Sequence, residues 1–195
     1  MRRLFVAVDL SIAVVERIAM LQDELRAEIG ERFGDGVRLR TVDAPNIHIT
    51  LKFLGDTPPA LVPRICEALR ELCEPLFPFD IECLGVGAFP GGESPRILWV
   101  GLDDEGAEVL GLLQRHVERD LHELGIEKES REYHPHVTVA RVKSESPPSL
   151  ETLLGEYDEV GFGQSFITDI ALYESHLDAD GPRYDVVERF SLRDR

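Results

Sequence analysis

Two short segments of the sequence place a histidine and a threonine in strict alternation with apolar residues. The first reads HITL at residues 48–51, and the second reads HVTV at residues 136–139. A period of two is typical of a β-strand, in which alternate side chains lie on opposite faces. Each segment therefore predicts a strand with an apolar face for the core and a His-Thr face that stays accessible.

The elements around these two segments recur in the same order. The periodicity predicts a strand, an amphipathic helix, the first His-x-Thr strand, a second helix and another strand. From residue 97 the same order returns, and a closing hairpin follows with its turn at residues 180–182. Two copies are too few for a solenoid. We therefore predict one α+β domain over residues 1–195, bilobal and duplicated, with two antiparallel-rich sheets facing a central cleft and helices outside.

The charge of the chain limits its partners. There are 37 Asp and Glu residues against 21 Lys and Arg, a net charge of −16. This balance excludes a protein that holds nucleic acid through an all-over basic surface, or one that coats an anionic membrane. Residues 36–53 and 131–143, which contain the two motifs, each carry three basic residues and one acidic residue. The chain is therefore locally positive at both motifs.

The sequence indicates a cytoplasmic protein that does not bind a membrane. No apolar stretch approaches the ~20 residues of a membrane span. Asp9 interrupts the first apolar run, which favours a strand over a signal peptide. The spacing of Cys66, Cys73 and Cys83 fits neither a disulfide framework nor a zinc site, so we expect reduced thiols.

Two histidines and two threonines around one cleft suit the displacement of a phosphodiester. One neutral imidazole can accept a proton from the attacking oxygen, while a protonated one donates to the leaving oxygen. The hydroxyls of Thr50 and Thr138 can donate to the nonbridging oxygens. This chemistry requires no metal or other cofactor, so we expect none.

The sequence also resembles a known family. NIHITLKFLGD and YHPHVTVAR are similar to the paired H-x-T-x motifs of the 2H phosphoesterases. The segments RRLFVAVDL, PRILWVGL and LYESHLDADGPRYDVVERFSL resemble the bacterial and archaeal branch called RNA 2′,3′-cyclic phosphodiesterase or 2′–5′ RNA ligase. The resemblance extends over the whole chain and implies the bilobal 2H phosphoesterase fold.

The resemblance also implies roles for individual residues. His48 corresponds to the general acid that protonates the leaving 3′ oxygen, and His136 to the general base that activates water. Arg141, five residues after His136, corresponds to an arginine that contacts the phosphate. Strict alternation places Arg141 on the face opposite Thr138, so this role requires a β-bulge or the strand end.

Three nearby residues are further candidates. Lys52 shares the predicted face of His48, which makes it a possible phosphate ligand. Phe53 and Tyr133 are possible stacking partners for a base, although alternation places Phe53 in the core.

Two histidines outside the motifs are weaker candidates. His134 and His136 form a His-x-His pair, but the sequence offers no carboxylate triad beside it that would complete a metal site. His176 belongs to the closing hairpin and is a possible neighbour of the cleft.

The function expected from the resemblance is metal-independent hydrolysis of RNA-terminal 2′,3′-cyclic phosphate to a 2′-phosphomonoester, with possible reversible 2′–5′ ligation. The partners are then RNA ends or nucleotides with a 2′,3′-cyclic phosphate, and we expect a monomer. One alternative is a 2H phosphodiesterase for a small nucleotide or a 2′–5′ oligonucleotide. Another is an RNA-end-binding protein without turnover.

Overall fold

The computed structural model describes residues 1–178 and 181–193, and within these ranges the chain forms nine strands and four α-helices. The strands are β1 (Arg2–Asp9), β2 (Arg38–Thr41), β3 (His48–Thr57), β4 (Phe79–Phe89), β5 (Ile97–Leu102), β6 (Val137–Lys143), β7 (Gly161–Ile167), β8 (Asp169–Asp178) and β9 (Gly181–Ser191). The helices are α1 (Ile12–Phe33), α2 (Val62–Cys73), α3 (Asp104–Glu123) and α4 (Glu151–Gly155).

The strands pair antiparallel in one sheet of order β7-β4-β5-β6-β3-β1-β8-β9, and β2 pairs with β6. The predicted α+β class is confirmed. The two predicted sheets are continuous, because β3 and β6 meet at the centre through the pair Ile49–Val137. Both motif strands therefore lie next to each other in the middle of the sheet.

The third strand of each predicted repeat pairs with the first strand of the other repeat. β4 and β5 are consecutive strands joined by a loop at residues 90–96, and they pair as a hairpin. β8 pairs with β1, and β9 completes that edge. The predicted strand at 166–173 is divided at Thr168 between β7 and β8, and Asp180 of the predicted turn lies outside the described residues.

All four helices pack on one face of the sheet. Ser11 caps α1 as expected, because its Oγ accepts a hydrogen bond from the Val14 amide. The apolar stripes of α1, α2 and α3 join the strand residues in one core cluster, which includes Ile18, Ile49, Ile65 and Leu110. The opposite face, here called the open face, carries the motif histidines and threonines.

Within the described part of the chain, no helix has both the length and the apolar character that crossing a membrane would require.

Candidate active site

A β-bulge follows the threonine of the first motif. Between β1 and β3, Ala7 is opposite Thr50 but Val6 is opposite Lys52, so Leu51 is an extra residue in β3. Leu51 and Lys52 are both buried, although strict alternation would place one of them on each face. The bulge therefore inverts the alternation after Leu51.

The second motif has a bulge at the equivalent position. Between β5 and β6, Trp99 is opposite Thr138 but Leu98 is opposite Ala140, so Val139 is the extra residue. Val139 and Ala140 are both buried. The sequences of the two motifs differ after the threonine, yet the backbone makes the same departure from alternation.

The first bulge reverses two expectations from the sequence. Lys52 lies on the helix side, where its Nζ donates to Glu118 Oε1 at 2.6 Å and to the Glu127 carbonyl at 2.8 Å. The prediction that Lys52 shares the face of His48 was wrong, which removes the basis for its possible role as a phosphate ligand. Phe53 lies on the open face and is 67% exposed, so its placement in the core was also wrong.

The second bulge brings Arg141 to the face of Thr138. Arg141 is exposed on the open face, which is the arrangement that the phosphate role requires. It also lies close enough to the ring of Tyr184 on β9 for its charge to lower the pKa of that tyrosine, against the larger effect of burial.

His48 is half-buried among aromatic rings on the open face. Its ring stacks on Phe5 with 5.0 Å between centroids, and it meets Tyr184 edge-on at 5.4 Å. Tyr173 lies 6.1 Å away on the same side. The Nε2 atom of His48 is 3.1 Å from Thr50 Oγ1, so the two motif side chains are in direct contact.

This apolar surrounding controls the protonation of His48. Burial lowers the pKa of His48 to about 4, and the nearby charge of His136 acts in the same direction. The carboxylate of Asp9 and a backbone hydrogen bond to Asn46 oppose this effect. In the ligand-free protein His48 is therefore neutral at pH 7.

Asp9 is held by two partners. The hydroxyl of Tyr173 donates to Asp9 Oδ1 at 2.6 Å, and Arg189 Nη2 donates to Asp9 Oδ2 at 2.5 Å. Arg189 is also bound to Asp169, with 2.8 Å between Nη1 and Oδ1. These bonds fix the orientation of the carboxylate that acts on His48.

His136 precedes β6 and is positioned by the backbone. Its Nδ1 lies 2.7 Å from the His134 carbonyl oxygen, which can only accept a hydrogen bond. In the neutral ring Nε2 therefore carries the lone pair. Phe89 and Trp99 flank the ring with centroids at 5.0 and 6.3 Å, and burial lowers the pKa of His136.

The indole of Trp99 lies directly over a glycine of the neighbouring strand. A Cβ atom at Gly87 would be 2.2 Å from Cζ2 of Trp99. Glycine therefore allows the indole to lie flat against the sheet beside His136.

Tyr133 links the two motifs. Its hydroxyl donates to the Thr50 carbonyl at 3.1 Å, so it fixes the segment before His136 to β3. The structure therefore gives no support to Tyr133 as a stacking partner for a base, since its ring is half-buried and its hydroxyl is hydrogen-bonded to Thr50.

The remaining histidine candidates lie apart from the site. His134 is exposed, with its Nε2 3.9 Å from Glu132, and no three potential metal ligands cluster among the described residues. His176 alternates with Tyr173 on β8, so it faces away from the open face. Its Nε2 is 3.2 Å from Asp185.

The open face thus brings together the five candidate residues His48, Thr50, His136, Thr138 and Arg141. The aromatic residues Phe5, Trp99, Tyr173 and Tyr184, together with Asp9, were missed from the sequence. All five lie in the segments RRLFVAVDL, PRILWVGL and LYESHLDADGPRYDVVERFSL, whose resemblance to the family was the available signal. Their position beside the motif histidines depends on long-range strand pairing, which the sequence did not reveal.

The chain is similar to known proteins over nearly all of its length. The family model of the 2'-5' RNA ligase superfamily matches residues 22–178. A protein of Aquifex aeolicus named RNA 2',3'-cyclic phosphodiesterase is 39% identical over 170 residues, 85% of this chain and 90% of that protein. A protein of the same name from Methanothermobacter thermautotrophicus is 32% identical and covers 97% of this chain and 98% of its own length.

Solved structures agree with this match. A crystal structure from Thermus thermophilus superposes with a TM-score of 0.80 at 29% identity and covers 98% of both chains. Escherichia coli LigT complexed with 3'-AMP gives a TM-score of 0.73 at 22% identity, again with 98% of both chains covered. The second likeness supports the fold alone.

Proposed function

This chain belongs to the 2'-5' RNA ligase superfamily, and from that premise we propose that it is an RNA 2′,3′-cyclic phosphodiesterase that uses His48 and His136 as its acid and base. The observation that carries this proposal is the equivalence of the two motifs. Each presents its histidine and threonine on the open face, each histidine ring is hydrogen-bonded to backbone two residues earlier, and each threonine is followed by a bulge.

In the proposed hydrolysis, His136 Nε2 accepts a proton from a water molecule as the water oxygen attacks phosphorus. The bond from phosphorus to the 3′ oxygen breaks, and His48 donates a proton to that oxygen. The product carries a 2′-phosphate and a free 3′ hydroxyl. The proton then returns from His136 to His48 through solvent, which restores both residues.

His48 must be protonated before it can donate to the 3′ oxygen. Burial holds the pKa of His48 at about 4, but a phosphodiester anion beside the ring stabilises the imidazolium. Substrate binding therefore raises the pKa of His48. The neutral state of His136 needs no such adjustment, because its pKa is already lowered.

Three side chains are proposed to hold the phosphate. The hydroxyls of Thr50 and Thr138 donate to nonbridging oxygens, and the Arg141 guanidinium balances their charge. Arg141 suits this role because the bulge at Val139 places it on the open face.

The same displacement accounts for 2′–5′ ligation. If a 5′ hydroxyl of a second RNA replaces water, its oxygen attacks phosphorus and the same bond to the 3′ oxygen breaks. The product is then a 2′–5′ phosphodiester, and the reverse reaction cleaves it.

The cell setting is also part of the proposal. We propose a cytoplasmic monomer that acts on RNA ends. All three cysteines are free and buried, and burial raises the pKa of Cys66 to about 11, which fits unreactive thiols in a reducing compartment.

Product analysis tests the function directly. Purified protein in EDTA should convert 2′,3′-cyclic AMP to the 2′-monophosphate, as resolved by chromatography against both monophosphate standards. Formation of the 3′-monophosphate, or loss of activity in EDTA, would contradict the mechanism. Binding without any product would favour an RNA-end-binding protein.

A comparison of rates separates the remaining alternative. The substrates are a cyclic mononucleotide, an RNA oligomer with a cyclic end and a 2′–5′ oligomer. The highest kcat/KM on the cyclic-ended RNA supports the proposal, whereas a preference for the 2′–5′ oligomer or the mononucleotide supports a small-nucleotide enzyme.

A further inference from the structure

Two pairs of like charges lie directly opposite each other where β2 meets β6. Arg40 pairs with Arg141, and Arg38 pairs with Lys143, in continuous antiparallel register. Side chains of directly opposed residues share one face, and like charges in this arrangement destabilise a sheet. Two such repulsive pairs occur in succession here, although the chain contains 37 acidic residues, any of which would form a favourable pair at these positions.

The four basic side chains lie on the open face. The residues that alternate with them, Leu39 and Val142, pack against the core on the helix side. All four basic residues are exposed, and within the described residues none of their side chains has a hydrogen bond or an ion pair.

Several arginines elsewhere in the chain form ion pairs. Arg2 is bound to Glu174 at 2.7 Å, Arg70 to Glu188 at 2.5 Å and Arg189 to Asp9 at 2.5 Å. At the β2–β6 edge no acidic partner is present among the described residues, and the basic residues there stand opposite one another in pairs, so these cations are available for an anionic ligand.

The basic edge begins at the site and leads away from it. Arg141 is three residues after Thr138, and its partner Arg40 lies about 5 Å across the strands. Arg38 and Lys143 are about 7 Å further along the same two strands. The basic side chains can therefore contact further phosphates of a nucleic-acid strand whose terminal phosphate is bound at Thr138.

We infer that Arg38, Arg40 and Lys143 form a binding track for the RNA backbone on the 5′ side of the terminal cyclic phosphate. The inference rests on the proposed function and extends it to the class of substrate. The end nucleotide occupies the histidine site, and its chain can continue only through its own 5′ oxygen. A positive row that leaves the site along one direction matches the phosphates of a short single strand. The acidic remainder of the protein limits the track to a few nucleotides.

The test compares two substrates with the same terminal base, a 2′,3′-cyclic mononucleotide and an RNA decamer that ends in a cyclic phosphate. The variant R38Q/K143Q removes the two charges farthest from the histidines. We expect KM for the decamer to rise roughly tenfold, with kcat unchanged and both constants for the mononucleotide unchanged. The salt dependence of decamer binding, as log Kd against log salt, should become shallower by about 1.4, since each phosphate contact contributes about 0.7 for single strands.

R64Q/R115Q is the matched control. Arg64 on α2 and Arg115 on α3 are exposed and lie on helices that cover the opposite face. This control changes the net charge equally and should leave KM for the decamer unchanged. Equal weakening by both variants, or no change with R38Q/K143Q, would overturn the inference. Failure of the wild type to hydrolyse either substrate would instead reject the proposed function, and decamer binding by fluorescence anisotropy would still test the track.

Discussion

Phe53 and Arg141 occupy equivalent positions, each five residues after a motif histidine and each carried to the open face by a bulge after the motif threonine. The first motif thus places an exposed ring, and the second an exposed guanidinium, on the open face on either side of the Ile49–Val137 pair. The same bulge geometry therefore exposes two different side chains, an apolar ring and a cation.

Loss of either motif histidine should remove most of the activity. We expect H48A and H136A each to lower kcat on 2′,3′-cyclic AMP by about 10²–10⁴-fold, the range for acid–base groups. The double variant should be little worse than either single variant, because the two residues act as a unit. H176A is the control and should retain wild-type activity, because His176 faces away from the open face. Retained activity in H48A or H136A would refute the assignment.

Asp9 should set the protonation of His48. Its negative charge raises the pKa of His48 against the effect of burial, so D9N should lower that pKa further below about 4. A smaller fraction of His48 is then protonated at any given pH, and kcat/KM should fall. NMR titration of the His48 ring reports the pKa directly.

D35N is the matched control for this titration, because Asp35 is exposed on the single turn at Gly34–Gly36. It should leave the His48 midpoint unchanged. The role assigned to Asp9 fails if D9N leaves that midpoint where the wild type has it.

The buried pair Lys52–Glu118 should contribute strongly to stability. The two side chains are 1% and 14% exposed, so K52M leaves a nearly buried carboxylate without its cation. We expect the free energy of unfolding in urea to fall by about 3–5 kcal/mol. K52M/E118Q removes both charges and should recover much of this loss. A fall in the free energy of unfolding of less than about 1 kcal/mol in K52M would show that the Glu118 carboxylate is hydrated in the variant.

Gly87 should be required for the position of Trp99. A methyl group there would lie 2.2 Å from the indole, so G87A must displace Trp99 and with it the packing around His136. We expect kcat to fall by on the order of 10–100-fold, since small misplacements of catalytic groups have effects of this size. G91A is the control, because a methyl group at Gly91 meets no atom within 4 Å. Equal activity of G87A and the wild type would show that the indole can move without affecting His136.

The sequence predicted those parts of the molecule that depend on local periodicity. The helical stripes, the Ser11 cap and the His-x-Thr strands all appear as expected. β2 was missed because RLRT has no apolar run, and its place depends on pairing with β6. The division into two pseudo-symmetric lobes stays a prediction.

The errors at the site have one physical cause. Strict alternation places Lys52 on the same face as His48. The extra residue in β3 instead turns Lys52 to the helix side and brings Phe53 to the face of His48. A bulge depends on the register between two strands, and no residue of HITLKF marks it. The same reason explains why Arg141 could not be placed from the sequence: its face depends on the bulge at Val139.

The pair Ile49–Val137 is the seam between the two halves of the sheet, and each of its members stands one residue after a motif histidine. The two histidines therefore flank the point at which the two halves of the sheet join, and their separation depends on the local pairing of β3 with β6. The separation of the proposed acid and base thus depends less on the outer strands than on this one pair.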